Sequence, residues 1–200
     1  MLDRYSQELI NPTLQVWAVI LLRYGFTPNM ISWVGIVFAI FSALAIYFSF
    51  IIVGLLFIYL NRLCDGLDGV MARQTEVTPY GGFIDITFDF FFYAIIPLSF
   101  GLLNQENLLP SMLLLASFLL NGSSFLAYAS IKGVYSKTEK TVKKSIYYSS
   151  GLIEGTETIF FFTMFCLLPD KFPLLSYIFA SLTLITFVHR VYLVKKEFNP

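Results

Sequence analysis

Residues 65–89 read DGLDGVMARQTEVTPYGGFIDITFD and place Asp65, Asp68, Asp85 and Asp89, together with Arg73, inside or at the lip of otherwise apolar segments. Membrane-insertion scales put roughly 2.5 to 3.5 kcal/mol against each such charge at mid-bilayer, so groups kept there have a use that offsets the cost. Asp65, Asp68, Gly69 and Ala72 stand at i, i+3, i+4 and i+7 and share one helical face, two acids beside two residues with almost no side chain. Gly81, Asp85 and Asp89 follow at i, i+4 and i+8 and form a similar stripe on the next helix. If the stripes face each other, the carboxylates converge on a small space, and mutual repulsion forbids full ionisation without cations. A ligand set made only of oxygen selects hard metals, Mg²⁺ or Mn²⁺.

The rest of the chain says what those stripes are embedded in. With 57% hydrophobic residues, 13% charged residues and a mean hydropathy of +0.73, its 200 residues are too apolar for an ordinary soluble domain and predict a polytopic membrane protein. A formal net charge of zero and a pI near 6.6 argue against a nucleic-acid partner, which would ask for a basic face. Asp3, Glu8 and Asn11 interrupt the first stretch before any compact apolar run, so no cleavable signal is expected. Cys64 and Cys166 lie alone in apolar surroundings, without metal or redox spacing, and read as small apolar filler.

In chain order, residues 1–24 carry apolar positions at helical spacing between Arg4, Glu8 and Arg23, the pattern of an interfacial amphipathic helix. Thr27, Pro28 and Asn29 then supply a breaker and a helix start. Six spans are predicted over 31–50, 52–73, 81–103, 109–131, 147–168 and 172–193, in one membrane domain covering 1–200. The second carries the first acidic stripe at its end, and the third carries the other at its start. Apart from Arg62 within a span and Lys171 on the opposite face, the lysines and arginines gather at the termini, the loop after Arg73 and a basic loop at 132–145. The positive-inside rule puts these in the cytoplasm, so both termini and the acidic stripes face the compartment that holds nucleotides and Mg²⁺.

The pattern D-x2-D-G-x2-A-R followed by G-x3-D-x3-D resembles the signature of the CDP-alcohol phosphotransferases, and Asp65, Asp68, Gly69, Ala72, Arg73, Gly81, Asp85 and Asp89 all match it. The spacer 74–80 is one residue shorter than the family's usual length. Gly82 would restore that length but break the spacing to Asp85, so Gly81 is read as the motif glycine. The six-span layout and the Thr27-Pro28-Asn29 start are also similar to the family, in its compact bacterial form. The resemblance implies an all-α integral membrane enzyme of six transmembrane helices preceded by an interfacial helix, in the bacterial inner membrane. It implies two Mg²⁺ or Mn²⁺ ions on Asp65, Asp68, Asp85 and Asp89, a CDP moiety gripped near Gly69, Ala72 and Arg73, and Asp89 as catalytic base. It further implies a CDP-linked lipid donor, most readily CDP-diacylglycerol, an alcohol acceptor, CMP as leaving group and a homodimer in the lipid bilayer. Glycerol 3-phosphate is the first acceptor expected, with phosphatidylglycerol or an inositol phosphate behind it; a CDP-choline or CDP-ethanolamine donor is the alternative within the family.

The same residues admit other readings. Interhelical salt bridges would leave four acids facing only Arg73 and Arg62, so the charges do not balance. A di-iron carboxylate site takes Glu-x-x-His pairs, and the sole histidine, His189, is far from the motif. A cation-coupled transporter using intramembrane carboxylates is the rival from another class. Arg62, Lys132 and Arg190 are candidates to hold an anionic acceptor, against the blander reading of snorkelling cations. Asn29 and Asn61 are read as helix caps or nucleotide contacts, Glu154 and Glu157 as partners of the basic loop or of substrate. The Phe-rich runs at 88–93 and 160–165 are read as packing and lipid-facing surface.

Overall fold

Residues 2–138 and 155–198 are described by the structure, a computed structural model, with side chains over 12–133 and 155–198. The helices are α1 (Leu2–Arg23), α2 (Pro28–Tyr47), α3 (Ile51–Gln74), α4 (Pro79–Leu103), α5 (Leu108–Thr138), α6 (Gly155–Leu167) and α7 (Phe172–Phe198). Short 3₁₀ turns, Gln105–Asn107 and Pro169–Lys171, precede α5 and α7. The protein is all-helical over the described residues.

Local chemistry sets the helix ends. α1 stops where Gly25 takes φ +84, with Gly25 N–H on Leu22 O at 3.0 Å and Phe26 N–H on Leu21 O at 3.1 Å, a Schellman closure in which glycine avoids the Cβ clash of the left-handed region. Thr27 then caps α2, its hydroxyl oxygen accepting from Met30 N–H at 3.3 Å with Pro28 in the first turn. The α2–α3 turn repeats the closure with Ser49 at φ 66, Ser49 N–H reaching Ile46 O at 2.9 Å and Phe50 N–H reaching Ala45 O at 2.8 Å. Thr78 and Pro79 restart the chain as α4 as Thr27 and Pro28 restart it as α2, Thr78 Oγ1 accepting from Gly81 N–H at 3.0 Å.

Contacts across the helices define their directions. Ser42 Oγ donates to Gly54 O at 2.9 Å and Asn61 Nδ2 to Gly35 O at 2.8 Å; residue numbers fall on α2 as they rise on α3, so the pair is antiparallel. Glycine permits this approach, since a Cβ on Gly35 would lie 3.2 Å from Cys64 Cβ and one on Gly54 2.6 Å from Ile46 Cγ1. α4 runs back along α5 through Ser111 Oγ to Pro97 O at 2.7 Å, and α5 lies parallel to α7, Phe118 stacking edge-on with Phe179 and Arg190 reaching Asn121. The larger core is aromatic: Phe92, Phe100, Phe162, Phe165, Phe172 and Phe179 are fully buried among α4, α6 and α7. A smaller one seats Leu14 and Ala18 of α1 on Ile31 of α2 and on Cys64, Leu67, Val70 and Met71 of α3, directly behind the acidic stripe.

The outer surface is what a bilayer requires. Trp33, Val37, Phe41 and Leu44 line one side of α2 and are 53%, 43%, 47% and 46% exposed, a continuous apolar face that water would penalise. Among the described residues, four helical stretches are long and apolar enough to cross a membrane: Pro28–Tyr47, Pro79–Leu103, Gln105–Gly133 and Pro169–Phe198. These contain the expected third, fourth and sixth spans and most of the first, which ends at Tyr47 and not at residue 50 because the chain turns at Phe48 to Phe50. α3, at 24 residues, is long enough for the second, but it carries Arg62, Asp65, Asp68 and Arg73. Residues 147–154 of the expected fifth span, Glu154 among them, and 139–145 of the basic loop lie outside the described residues; α6, a shorter apolar helix, falls within the rest of that expected segment. α1 occupies the expected N-terminal segment. Both cysteines are free and buried, as filler should be.

Candidate metal centre

The two acidic stripes meet. One oxygen from each of Asp65, Asp68 and Asp85 lies within 4.8 Å of the others. Oxygens on opposite sides of a Mg²⁺ are about 4.2 Å apart, given bonds of roughly 2.1 Å. The trio needs only side-chain adjustment to close on one cation, and among the described residues no nitrogen or sulfur donor joins it; the donor set fits a hard divalent ion. Asp68 is the buried member, and the Ser32 hydroxyl donates to its Oδ2, a contact from α2 that orients the carboxylate. Asp65 is partly buried and Asp85 exposed, so the cluster opens outward.

Asp89, one turn beyond Asp85, is held differently. Its Oδ1 accepts from Arg62 Nη1 at 2.9 Å, and the same nitrogen lies 3.4 Å from Asp65 Oδ2. Arg62 Nε donates to Asn61 Oδ1 at 2.9 Å, and its guanidinium carbon sits 4.2 Å from the centre of the Phe92 ring.

Beside the trio a cavity of about 410 Å³ opens between the N-terminal ends of α2 and α4 and the C-terminal end of α3. Asp68, Gly69, Ala72, Arg73, Gly81 and Asp85 line it, with Asn29, Ser32 and the 75–78 turn opposite. A methyl group on Gly69 would stand 3.4 Å from Arg73 Nη1, so the guanidinium lies over the bare glycine and faces the cavity the carboxylates border. Gly81 is equally tight, a Cβ there meeting Thr78 Oγ1 at 3.1 Å and Asn29 Oδ1 at 3.3 Å. The short spacer thus forms the cavity's rim. Asp65, Asp68, Asp85 and Asp89 together border a small pocket with Arg62, Asn61 and Ser32, and Asp89 also lines a second cavity of about 550 Å³ bounded by α4, α5, α6 and α7, mostly apolar, which Arg190 lines too.

All eight motif residues therefore lie in one region, six of them lining the cavity of about 410 Å³ and Asp65 and Asp89 bordering the adjoining small pocket with Asp68 and Asp85. Of the other candidates, Asn29 lines that cavity, and Asn61 ties Gly35 O to Arg62. Arg190 Nη1 donates to Asn121 O, Asn121 Oδ1 and Ser124 Oγ at 2.7, 2.8 and 2.9 Å, and Lys132 Nζ donates to Tyr128 OH at 3.2 Å. Ser32 escaped the sequence reading, as did the pairing of Arg62 with Asp89. A polar side chain one turn into an apolar span was the available signal for Ser32.

The sequence pattern of the family described as CDP-alcohol phosphatidyltransferase matches residues 26–192. The chain belongs to that family. It is 40% identical over 194 residues to the inner membrane protein YnjF of Escherichia coli strain K12, covering 96% of this chain and 94% of that one. It is 26% identical over 201 residues to the archaetidylinositol phosphate synthase of Pyrococcus horikoshii, covering 98% of each. Its fold is similar to phosphatidylinositol phosphate synthase of Mycobacterium tuberculosis in two crystal structures. The one with CDP-DAG bound gives a TM-score of 0.71 at 20% identity over 91% of this chain and 93% of that chain; the one with manganese and citrate gives 0.72 at 22% over 90% and 87%. This family member is a CDP-alcohol phosphotransferase with a divalent metal, Mg²⁺ or Mn²⁺, as cofactor. Family membership decides for the enzyme over the transporter.

Proposed function

We propose that this transferase takes CDP-diacylglycerol as donor and moves its phosphatidyl group to an acceptor hydroxyl, with glycerol 3-phosphate as the first acceptor to test. The acceptor oxygen bonds to the phosphorus on the lipid side of the pyrophosphate. The bond from that phosphorus to the bridging oxygen breaks, CMP leaves, and the acceptor proton passes to Asp89 Oδ. Two divalent ions held by Asp65, Asp68 and Asp85, with Asp89 as outer ligand, would supply charge neutralisation for the pyrophosphate. Gly69 and Ala72 leave the helix surface open to a diphosphate, and Arg73 offers it a forked donor. The observation that carries this reading is that Asp65, Asp68, Asp85 and Asp89 border one small pocket, and Asp68 and Asp85 also line the cavity that Gly69, Ala72 and Arg73 line. An inositol phosphate is the second acceptor, favoured by the names of the Pyrococcus and Mycobacterium relatives. Purified protein given Mg²⁺, CDP-diacylglycerol and each acceptor in turn is expected to release CMP; no CMP with any acceptor would overturn the assignment of donor and reaction.

We place the chain in the inner membrane as one domain of six spans with α1 at the interface, both termini and the 75–78 turn in the cytoplasm, and a second copy as partner. The apolar outer faces, the distribution of lysine and arginine and the inner-membrane relative support this. In a cysteine-less background, a cysteine at Glu76 is expected to react with an impermeant maleimide from the cytoplasmic side, and one at Asp170 from the outer side alone. Labelling of both from one side would overturn the orientation.

A further inference from the structure

We infer that Arg62 is a positioning residue that keeps Asp89 out of the metal cluster until donor arrives, so that the donor-free enzyme takes a single divalent ion on Asp65, Asp68 and Asp85. This inference rests on the transferase reading above and deepens it. Four contacts fix the guanidinium. Nη1 holds Asp89 Oδ1 at 2.9 Å and leans on Asp65 Oδ2 at 3.4 Å. Nε holds Asn61 Oδ1 at 2.9 Å, and Asn61 Nδ2 is itself tied to Gly35 O at 2.8 Å, which anchors the group to the backbone of α2. Its carbon rests 4.2 Å from the centre of the Phe92 ring, and only 16% of the side chain is exposed. A snorkelling arginine reaches for water; this one is turned into the protein and braced on three helices.

The chemistry of the two charges makes the arrangement exclusive. Arginine has donors only and stays charged, so it cannot join a metal's ligand shell and competes with a cation for the same carboxylate oxygens. Oxygens of Asp65, Asp68 and Asp85 lie within 4.8 Å of one another, while Asp89, which borders the same small pocket, has its Oδ1 held by Arg62. Bringing Asp89 to an ion breaks a charge-assisted hydrogen bond and leaves a buried guanidinium short of a partner, a loss that an incoming phosphate, the other anion Arg62 can fork onto, would make good.

The test counts Mn²⁺ bound by purified, donor-free protein, using electron paramagnetic resonance of the free ion and calorimetry, for the wild type, Arg62→Met and Asp89→Asn. Methionine keeps the length and the contact with Phe92 while removing the charge. The wild type is expected to bind about one ion per chain and Arg62→Met about two, the number a two-metal transfer site holds. Asp89→Asn is expected to bind about one, with an affinity within roughly threefold of wild type, because Asp89 is not a ligand in this state. If Arg62→Met does not fold, the wild-type count and the Asp89→Asn affinity decide. A wild-type count of about two, an unchanged count in folded Arg62→Met, or a loss of roughly tenfold or more in Asp89→Asn would overturn the role of Arg62 and leave the transferase reading standing. No ion bound by any of the three would overturn both.

Discussion

Replacing Asp85 by asparagine is expected to abolish divalent-ion binding and lower CMP release by roughly 10³-fold or more, since metal stabilisation of transferring phosphate charge is worth several kcal/mol and each 1.4 kcal/mol is about tenfold in rate. Asp85 is the only member of the trio supplied by α4; Asp65 and Asp68 both come from α3. Asparagine keeps the size and one oxygen but removes the charge that draws a cation to the interhelical gap, and Asp85 is exposed, so the helix packing should survive. Mn²⁺ titration beside a CMP assay, with gel filtration to show an intact fold, reads the effect. An Asp85→Asn protein that keeps its ion and turns over within about tenfold of wild type would remove Asp85 from the metal site.

Asp89→Asn separates chemistry from binding. Turnover is expected to fall by about 10² to 10⁴-fold, the usual value of general-base assistance, while binding of metal and CDP-alcohol persists. The position of the side chain is the reason. Asp89 lies one turn beyond Asp85, does not line the cavity bordered by Gly69 and Arg73, and accepts a hydrogen bond from Arg62. Asparagine still accepts a hydrogen bond from Arg62 but cannot take a proton. Single-turnover kinetics with labelled CDP-diacylglycerol, alongside equilibrium binding of CDP, distinguish the two effects. Loss of CDP binding in parallel with turnover, or normal turnover, would take the role of base away from Asp89.

Much of this was legible in the chain because it depends on neighbours in sequence. Apolar runs of span length, the Thr-Pro starts at 27–28 and 78–79 and the i, i+4 stripes are short-range patterns; α4, α5 and α7 contain the segments they predict, and α2 covers all but the last three residues of its own. Boundaries moved where capping outweighed hydropathy. α2 begins at Pro28 and not at Ile31 because the Thr27 hydroxyl satisfies a free backbone donor there, and α5 continues past the apolar stretch to Thr138. The aromatic runs supply both buried and exposed surface, but alternation around a helix cannot say which rings meet: Phe162 is fully buried while Phe160 is 57% exposed.

The one-dimensional chain determined that this is a helical membrane protein with carboxylates gathered for a hard metal, because residue type and helical period are properties each segment carries alone. Which carboxylates converge was decided by the tertiary structure. Glycine at 35 and 54 sets how closely α2 and α3 approach, and that spacing brings Ser32 to Asp68 and Asn61 to the α2 backbone. The placing of α4 against α3 puts Asp85 with Asp65 and Asp68 but gives Asp89, one turn deeper, to Arg62, 27 residues earlier in the chain. A helical wheel draws Asp85 and Asp89 as equals; the packing of helices around a fixed cation makes them different, because charge interactions depend on distances of a few ångströms that no single helix sets.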